Sequence, residues 1–113
     1  MSRTRWHMRR DGALTVHARH WPPRFDVEAS CTLPPARPDR LALQVRQDLW
    51  RVLQNLRGYS PVVTVLEGPL GVEVRAGGRV EGRVPGNVAV RIQSLLDDPE
   101  RRARWLQWAR RAP

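Results

Sequence analysis

Residues 39–57, DRLALQVRQDLWRVLQNLR, carry the longest helical hydrophobic period in the chain. Spacings of three and four residues place five apolar side chains on one stripe of a helix, namely Leu41, Val45, Leu49, Val52 and Leu56. Asp39 can accept hydrogen bonds from the amides of a first turn, and Pro38 opposes extension towards the N-terminus. Gly58 offers the left-handed residue that commonly ends a helix. The stretch therefore predicts a central helix from Asp39 to Arg57.

Three stretches that alternate apolar and polar residues precede this helix and predict a three-stranded antiparallel meander over residues 4–33. In its first hairpin, a three-residue loop with Gly12 in the left-handed conformation would pair Met8 with Leu14. In its second, pairing Ala18 with Val27 would bring opposite charges together across the strands. One face of this meander is expected to be apolar.

A second meander is predicted after the central helix. Its first strand, Pro61–Glu67, is rich in β-branched residues and is apolar enough to be buried on both faces, which suggests a central position. Gly77 and Gly78 predict a hairpin turn between the second and third strands. Turn chemistry alone would place two arginines opposite each other there, so we adopt the register that pairs Arg75 with Glu81.

Two short helices are predicted at the C-terminal end. The first follows Asn87 as its cap, and its apolar residues share one face: Val88, Ile92, Leu95 and Leu96. The second begins with Asp98, Pro99 and Glu100 and runs to Arg111. The predicted order is β-β-β-α-β-β-β-α-α. We expect one α+β domain over residues 1–113, with the two meanders in one sheet or in two halves and the helices packed on one face.

The charge balance favours a polyanionic partner. All twenty basic residues are arginines and the formal net charge is +9. Guanidinium groups bind phosphates bidentately and stack on bases. We therefore expect a small accessory protein without enzymatic activity that binds nucleic acid through arginine-rich faces. These faces are predicted to contain Arg3, Arg5, Arg9, Arg10, Arg19, Arg101, Arg102, Arg110 and Arg111.

The alternative function is that of an adaptor, or of a subunit of a larger complex, with an acidic protein as partner. Trp105 and Trp108 lie on one side of the last predicted helix. They would either cover the edge of the core or form a docking face, because tryptophan and arginine are enriched at interface hot spots. An uninterrupted arginine patch would favour nucleic acid, whereas arginines paired across the strands would favour the adaptor.

Other classes of function lack a supporting motif. His7, His17 and Glu28 are predicted to share the outer face of the first meander without forming a metal site, and Cys31 is predicted to lie on its apolar face. The glycines lack the context of a phosphate-binding loop. We expect no cofactor and no metal. Because the sequence shows neither an apolar run of about 20 residues nor a secretory signal, we expect a cytoplasmic protein without a membrane span.

From Asp39 onward, the predicted order of one helix, three strands and one helix resembles the layout of the double-stranded RNA-binding domain. That family opens its second helix with a run of lysines that contacts phosphates. Here the corresponding residues are Gly86, Asn87, Val88, Ala89, Val90 and Arg91. The first three predicted strands also have no counterpart in that family. We interpret the resemblance as a shared layout, because one architecture serves many functions.

Overall fold

Five antiparallel strands and three helices make up residues 6–110, the part of the chain that this computed structural model describes. The elements are β1 (His7–Asp11), β2 (Leu14–Ala18), β3 (Val27–Leu33), α1 (Pro38–Leu53), β4 (Tyr59–Glu67), β5 (Val72–Val80), α2 (Val88–Asp97) and α3 (Pro99–Trp108). The strands form one sheet in the order β1-β2-β4-β5-β3. The α+β class is confirmed, but the described residues form five strands in one sheet instead of two three-stranded meanders.

The central helix α1 forms where the sequence predicts it, with shifted ends. Its N-cap is Arg37, which makes no side-chain capping bond, and Pro38 occupies the first turn. The helix ends at Leu53, where the Leu56 amide donates to the Leu53 carbonyl over 2.9 Å and tightens the chain before Gly58 (φ 68°). Its predicted stripe supplies the centre of the core through Leu41, Val45 and Leu49, each fully buried.

The predicted hairpin at Gly77 and Gly78 does not exist, because both glycines lie inside the long strand β5. A Cβ atom on Gly77 would lie 2.0 Å from the Val27 carbonyl oxygen of β3. One on Gly78 would lie 2.1 Å from the Ser60 carbonyl oxygen of β4. These residues are glycines because the neighbouring backbones approach closely, and the chain does not turn there.

The register predicted for that hairpin is therefore wrong as well. Arg75 lies opposite Thr64 of β4 and Ser30 of β3, and Glu81 lies beyond the end of β5. The chain turns between β4 and β5 instead, where the Gly68 amide donates to the Gly71 carbonyl over 2.8 Å.

The first predicted meander is only partly present. β1 and β2 form a hairpin, but its turn has two residues, so Met8 lies opposite His17 instead of Leu14. Gly12 has φ 59° at the first turn position, as a type II′ turn requires. β2 pairs with β4, and Ala18 lies opposite Val62 instead of Val27. The valine-rich strand β4 thus lies third of the five strands, as predicted, and β3 forms the far edge beside β5.

The changed register reverses the two faces of β2. Thr15 and His17 lie opposite Val65 and Val63, which belong to the core beneath the helices, and both polar side chains are buried. Leu14 and Val16 point to the opposite face of the sheet and are half-buried. The prediction that His17 lies on a solvated outer face is therefore wrong.

All three helices lie on one face of the sheet, as predicted. α1 packs over β2 and β4, α2 packs over β3, and α3 packs against the two other helices. α2 presents its predicted apolar face to the core, and the Asp98 side chain caps α3 by accepting from the Glu100 amide over 3.0 Å. The Arg37 amide donates to the Ala109 carbonyl over 2.8 Å, which joins the end of α3 to the start of α1. The predicted last residue of α3, Arg111, lies outside the described residues.

The opposite face of the sheet carries no helix and is only partly covered. Residues 19–26 cross one end of it, where a nitrogen of the His20 ring lies 2.6 Å from the Ser60 hydroxyl. Ala18 and Val62 are buried at that end, and Leu66 at the other end is 45% exposed. We call this the open face.

Two strands, and not three, separate α1 from α2, so the layout of the double-stranded RNA-binding domain is not reproduced. Among the helices of residues 6–110, none has the length and apolar character needed to span a bilayer.

Candidate nucleic-acid interface

One of the rows of side chains that cross all five strands on the open face has an arginine at two of its positions. Each member lies directly opposite the next: Arg9, Val16, Thr64, Arg75 and Ser30. Three strand spacings separate Arg9 from Arg75, which corresponds to roughly 14 Å. The half-buried side chains of Val16 and Thr64 form the floor between these two guanidinium groups.

Arg9 stacks on an aromatic side chain at the β1 end of this row. Its guanidinium carbon lies 4.2 Å from the centroid of the Trp21 ring, and the His7 ring lies 5.8 Å from that ring on the same side of β1. Trp21 is 37% exposed. The cation–π contact holds the guanidinium group over an aromatic surface that remains accessible to solvent. We call Arg9, Trp21 and His7 the Arg9 stack.

Arg75 makes a weaker version of the same arrangement at the β5 end of the row. Its guanidinium carbon lies 5.8 Å from the centroid of the Phe25 ring. Its Nε also lies 3.4 Å from a carboxylate oxygen of Glu28. The positive charge of Arg75 is therefore partly compensated, whereas that of Arg9 has no ion pair within residues 6–110.

The predicted nucleic-acid-binding arginines divide into two groups that do not meet, so within residues 6–110 they do not form the uninterrupted patch that would favour nucleic acid. Arg9, Arg10 and Arg19 belong to the β1–β2 side of the sheet, and Arg19 is half-buried. Arg101, Arg102 and Arg110 belong to α3 or follow it, and α3 packs beside α2, which covers the opposite edge strand β3. The remaining three, Arg3, Arg5 and Arg111, lie outside the described residues.

Several of these arginines already have anionic partners. Arg10 pairs with Glu67, and Arg101 pairs with Asp98 over 2.8 Å. Arg102 donates to the Leu96 carbonyl over 2.6 Å and lies 3.5 Å from the Asp97 carboxylate. The arginines of α3 thus contribute to the ends of the helices, so the β1–β2 side is the better candidate interface.

A second aromatic cluster lies behind the Arg9 stack, on the helix side of the sheet. The guanidinium carbon of Arg46 lies 4.1 Å from the centroid of the Trp6 ring, which lies 5.3 Å from the His17 ring. Nδ1 of His17 lies 3.0 Å from the His7 carbonyl oxygen, so this nitrogen carries the proton and Nε2 carries the lone pair. Burial lowers the pKa of His17, and the nearby charge of Arg46 acts in the same direction.

The sequence interpretation missed a buried carboxylate that joins two helices. Asp48 of α1 accepts a hydrogen bond from the indole Nε1 of Trp105 over 2.7 Å, and it pairs with Arg104 and, over 3.2 Å, with Arg51. Asp48 lies seven residues after Leu41, on the apolar stripe. The sequence did contain a signal for this contact. A carboxylate on an apolar stripe needs a hydrogen-bond donor, and a buried tryptophan needs an acceptor for its indole NH.

The two tryptophans of α3 have opposite environments. Trp105 is fully buried in the core, so it cannot present its ring to a partner, whereas Trp108 is 62% exposed. Only Trp108 of the predicted partner-binding pair is therefore accessible.

Cys31 packs with the core residues on the helix side of β3, and burial raises the pKa of its thiol. Its environment does not favour the reactive thiolate. In the described part of the chain, no three histidine, cysteine or carboxylate side chains come together in a way that would hold a metal ion.

Comparisons of the chain with protein-family models, with curated proteins and with solved structures found no match.

Proposed function

We propose that this protein binds single-stranded nucleic acid on the open face of its sheet, at the β1–β2 side. The observation that carries the proposal is the Arg9 stack, in which a guanidinium group without an ion pair in the described residues lies on an accessible indole. Proteins that bind single strands combine cationic grooves with aromatic side chains on which bases stack. A net charge of +9 supplies the long-range attraction.

The row across the open face suggests how a strand would lie. A base would stack on the exposed part of Trp21, while Arg9 contacts the adjoining phosphate. The backbone would then cross Val16 and Thr64 towards Arg75, whose charge is partly compensated by Glu28. The bases of a duplex are already stacked on each other and would gain nothing from Trp21, so we expect single strands to bind more tightly than duplexes. The protein acts here as a binding module without catalysis.

Fluorescence anisotropy with a short labelled oligothymidine tests the proposal. Arg9→Ala and Trp21→Ala should each raise the Kd roughly tenfold, because loss of a stacking contact costs about 1 to 3 kcal/mol. The control is Arg83→Ala, which removes the same charge from an exposed position outside the sheet. We expect it to change the Kd by no more than about twofold, in line with the loss of one screened surface charge.

The outcomes separate a local site from general charge attraction. If Arg83→Ala weakens binding as much as Arg9→Ala does, the affinity follows net charge and the site is not at the Arg9 stack. If the unmodified chain binds no oligonucleotide at low salt, the proposed function is refuted.

The second candidate function is binding of an acidic protein at the C-terminal end of α3. The exposure of Trp108, with Arg110 two residues further on, favours it. Titration with polyglutamate tests this alternative. Binding that Trp108→Ala abolishes and Arg9→Ala leaves intact would favour it over nucleic acid, and binding that both variants leave intact would exclude this position.

A further inference from the structure

A cleft of about 690 Å³ lies at the end of the sheet that residues 19–26 do not cross. One wall is the turn between β4 and β5, and the other is the connection from β3 to α1. Its apolar lining includes Leu66, Pro69, Leu70, Pro34 and Pro35. Leu70 is 92% exposed, the highest value among the exposed large hydrophobic side chains of the described residues. A leucine this exposed at the mouth of an apolar cleft is typical of a surface that a partner covers.

Charges of opposite sign flank the two sides of this cleft. On the sheet side, the exposed Glu73 lines the cleft and has no ion pair within residues 6–110, while Glu67 pairs with Arg10. On the helix side, the bond from the Arg37 amide to the Ala109 carbonyl places the end of α3 beside the connection that forms the cleft wall.

The helix side is basic. Arg37 and Arg40 are exposed, lie three residues apart around the start of α1, and therefore share a side of the helix. Arg110 follows Ala109 and is also exposed. None of these three arginines has an ion pair in the described part of the chain. The apolar cleft thus lies between the exposed carboxylate of Glu73 on one side and a side on which three arginines outnumber the exposed Asp39.

We propose that this end of the molecule is the interface of a two-fold symmetric homodimer, in which a second copy of the chain covers the cleft. A two-fold interface uses the same patch on both subunits, so the patch must be complementary to itself. Rotation by half a turn would place the acidic side of one copy against the basic side of the other. The apolar lining around Leu70 and Pro35 would then lie at the centre.

The size of the patch indicates a weak dimer. A standard interface uses roughly 20–30 residues from each partner, which is more than the cleft and its charged sides supply. We therefore expect an equilibrium between monomer and dimer that shifts with protein concentration.

Sedimentation velocity over a series of protein concentrations tests the proposal with the full chain, freed of nucleic acid by nuclease treatment. The dimer fraction of the unmodified chain should increase with protein concentration. Leu70→Glu should raise the dimer dissociation constant at least tenfold, since it places a charge at the centre of the interface. The matched control is Val90→Glu, which alters an apolar residue of α2 that is 66% exposed and lies outside the cleft. It should leave the equilibrium unchanged.

A charge exchange tests the arrangement across the two-fold axis. Glu73→Arg and Arg40→Glu should each weaken the dimer, and the double variant should recover most of the loss. Circular dichroism confirms that each variant is folded. A monomer at every concentration would overturn the proposal, as would a dimer that Leu70→Glu does not weaken or a double variant weaker than both single ones. None of these outcomes bears on the Arg9 stack, so this inference and the proposed function can fail independently.

Discussion

At the scale of single residues, Asp48 has the least usual environment, because a carboxylate is buried in the middle of a helix. Three donors make its burial tolerable, and the Trp105 indole is itself fully buried. Asp48→Ala removes the acceptor of that indole and leaves Nε1 without a partner. We expect the free energy of unfolding to fall by about 2 to 4 kcal/mol, measured by urea denaturation.

Asp39→Ala is the control for that variant, because Asp39 is an exposed carboxylate of the same helix. This substitution should lower the free energy of unfolding by less than about 1 kcal/mol, the usual size of a helix-dipole contribution. Equal effects of the two substitutions would show that the contacts of Asp48 do not stabilise the fold.

His17 predicts a dependence of stability on pH. Because burial lowers its pKa below the ordinary value of 6.5, the unfolded chain binds a proton more readily than the folded chain. Its contribution is therefore fully present above about pH 7.5 and is lost as the pH falls through 6.5 towards the lower folded pKa. Urea denaturation of the unmodified chain and of His17→Gln at pH 7.5, 6.5 and 5.5 measures this contribution.

The variant His17→Gln should lose less stability between pH 7.5 and pH 5.5 than the unmodified chain does. Identical profiles for the unmodified chain and His17→Gln would contradict the assignment of this pH dependence to His17.

The two faces of β2 show why the sequence alone did not predict which side chains of this strand lie beneath the helices. The alternation of Leu14, Thr15, Val16 and His17 correctly predicts a strand, but it also predicts an apolar face for Leu14 and Val16 and an outer face for His17. In the structure the polar members lie on the helix side, where Nδ1 of His17 donates to the His7 carbonyl and the His17 ring lies 5.3 Å from the Trp6 ring in a tilted arrangement. Alternation with a period of two identifies a strand. It does not determine which face of the strand meets the helices when both faces are partly covered.

At the scale of elements, β5 depends on two glycines that allow its neighbours to approach. Gly77→Ala would place a methyl group against the backbone of β3, which cannot move aside as a flexible side chain would. We expect a loss of about 1 to 3 kcal/mol in the free energy of unfolding, the usual cost of overpacking. Chemical denaturation followed by circular dichroism measures it.

The control substitution is Gly86→Ala, where a Cβ atom would meet nothing within 4 Å. It should change stability by less than about 1 kcal/mol, and stabilisation through a more restricted unfolded chain is the expected direction. Similar losses at the two positions would remove close strand approach as the reason for Gly77.

The helix α3 offers a matched pair of tryptophans. Trp105→Ala should cost about 3 to 5 kcal/mol, as truncation of a fully buried aromatic side chain does. Trp108→Ala should change stability by less than about 0.5 kcal/mol, because most of its ring is in contact with solvent. Thermal unfolding measures the stability of both variants. Comparable losses of stability would mean that Trp108 also packs in the core.

Helices were easier to predict than strands in this chain. The stripe of α1, the apolar face of α2 and the Asp98 cap of α3 are all local patterns, and all three are present. The error in β5 arose because paired glycines favour turns and also favour close strand contact, and only the neighbouring strands decide between the two.

At the scale of the whole molecule, the sheet order makes β4 and β5 the best protected elements. β2, β4 and β5 are each paired on both edges, and β4 and β5 are the longest strands, with nine residues each. β1 and β3 end the sheet, and β1 has only five residues. Hydrogen exchange should therefore be slowest for the amides of β4 and β5 and fastest, among the strands, for β1. Exchange measured by NMR would contradict this order if β1 amides were as protected as those of β4.

The sheet order itself was not accessible to local reasoning. Consecutive strands pair in most proteins, so β3 was expected beside β2. In the structure β4 pairs with β2, and residues 19–26 carry the chain across to the far edge. The candidate interface was only partly predictable for the same reason. Arg9 was identified from charge, but Trp21 reaches it only because that segment crosses the sheet.

The bond between Trp105 and Asp48 gives the molecule an intrinsic optical reporter. Of the five tryptophans, Trp105 is fully buried, and the other four retain some contact with solvent: Trp6, Trp21, Trp50 and Trp108. Native fluorescence should therefore contain a component that acrylamide does not quench, and this component comes from Trp105. If this unquenched component disappears while the circular dichroism spectrum still shows a folded sheet, then α3 has separated from the rest of the molecule.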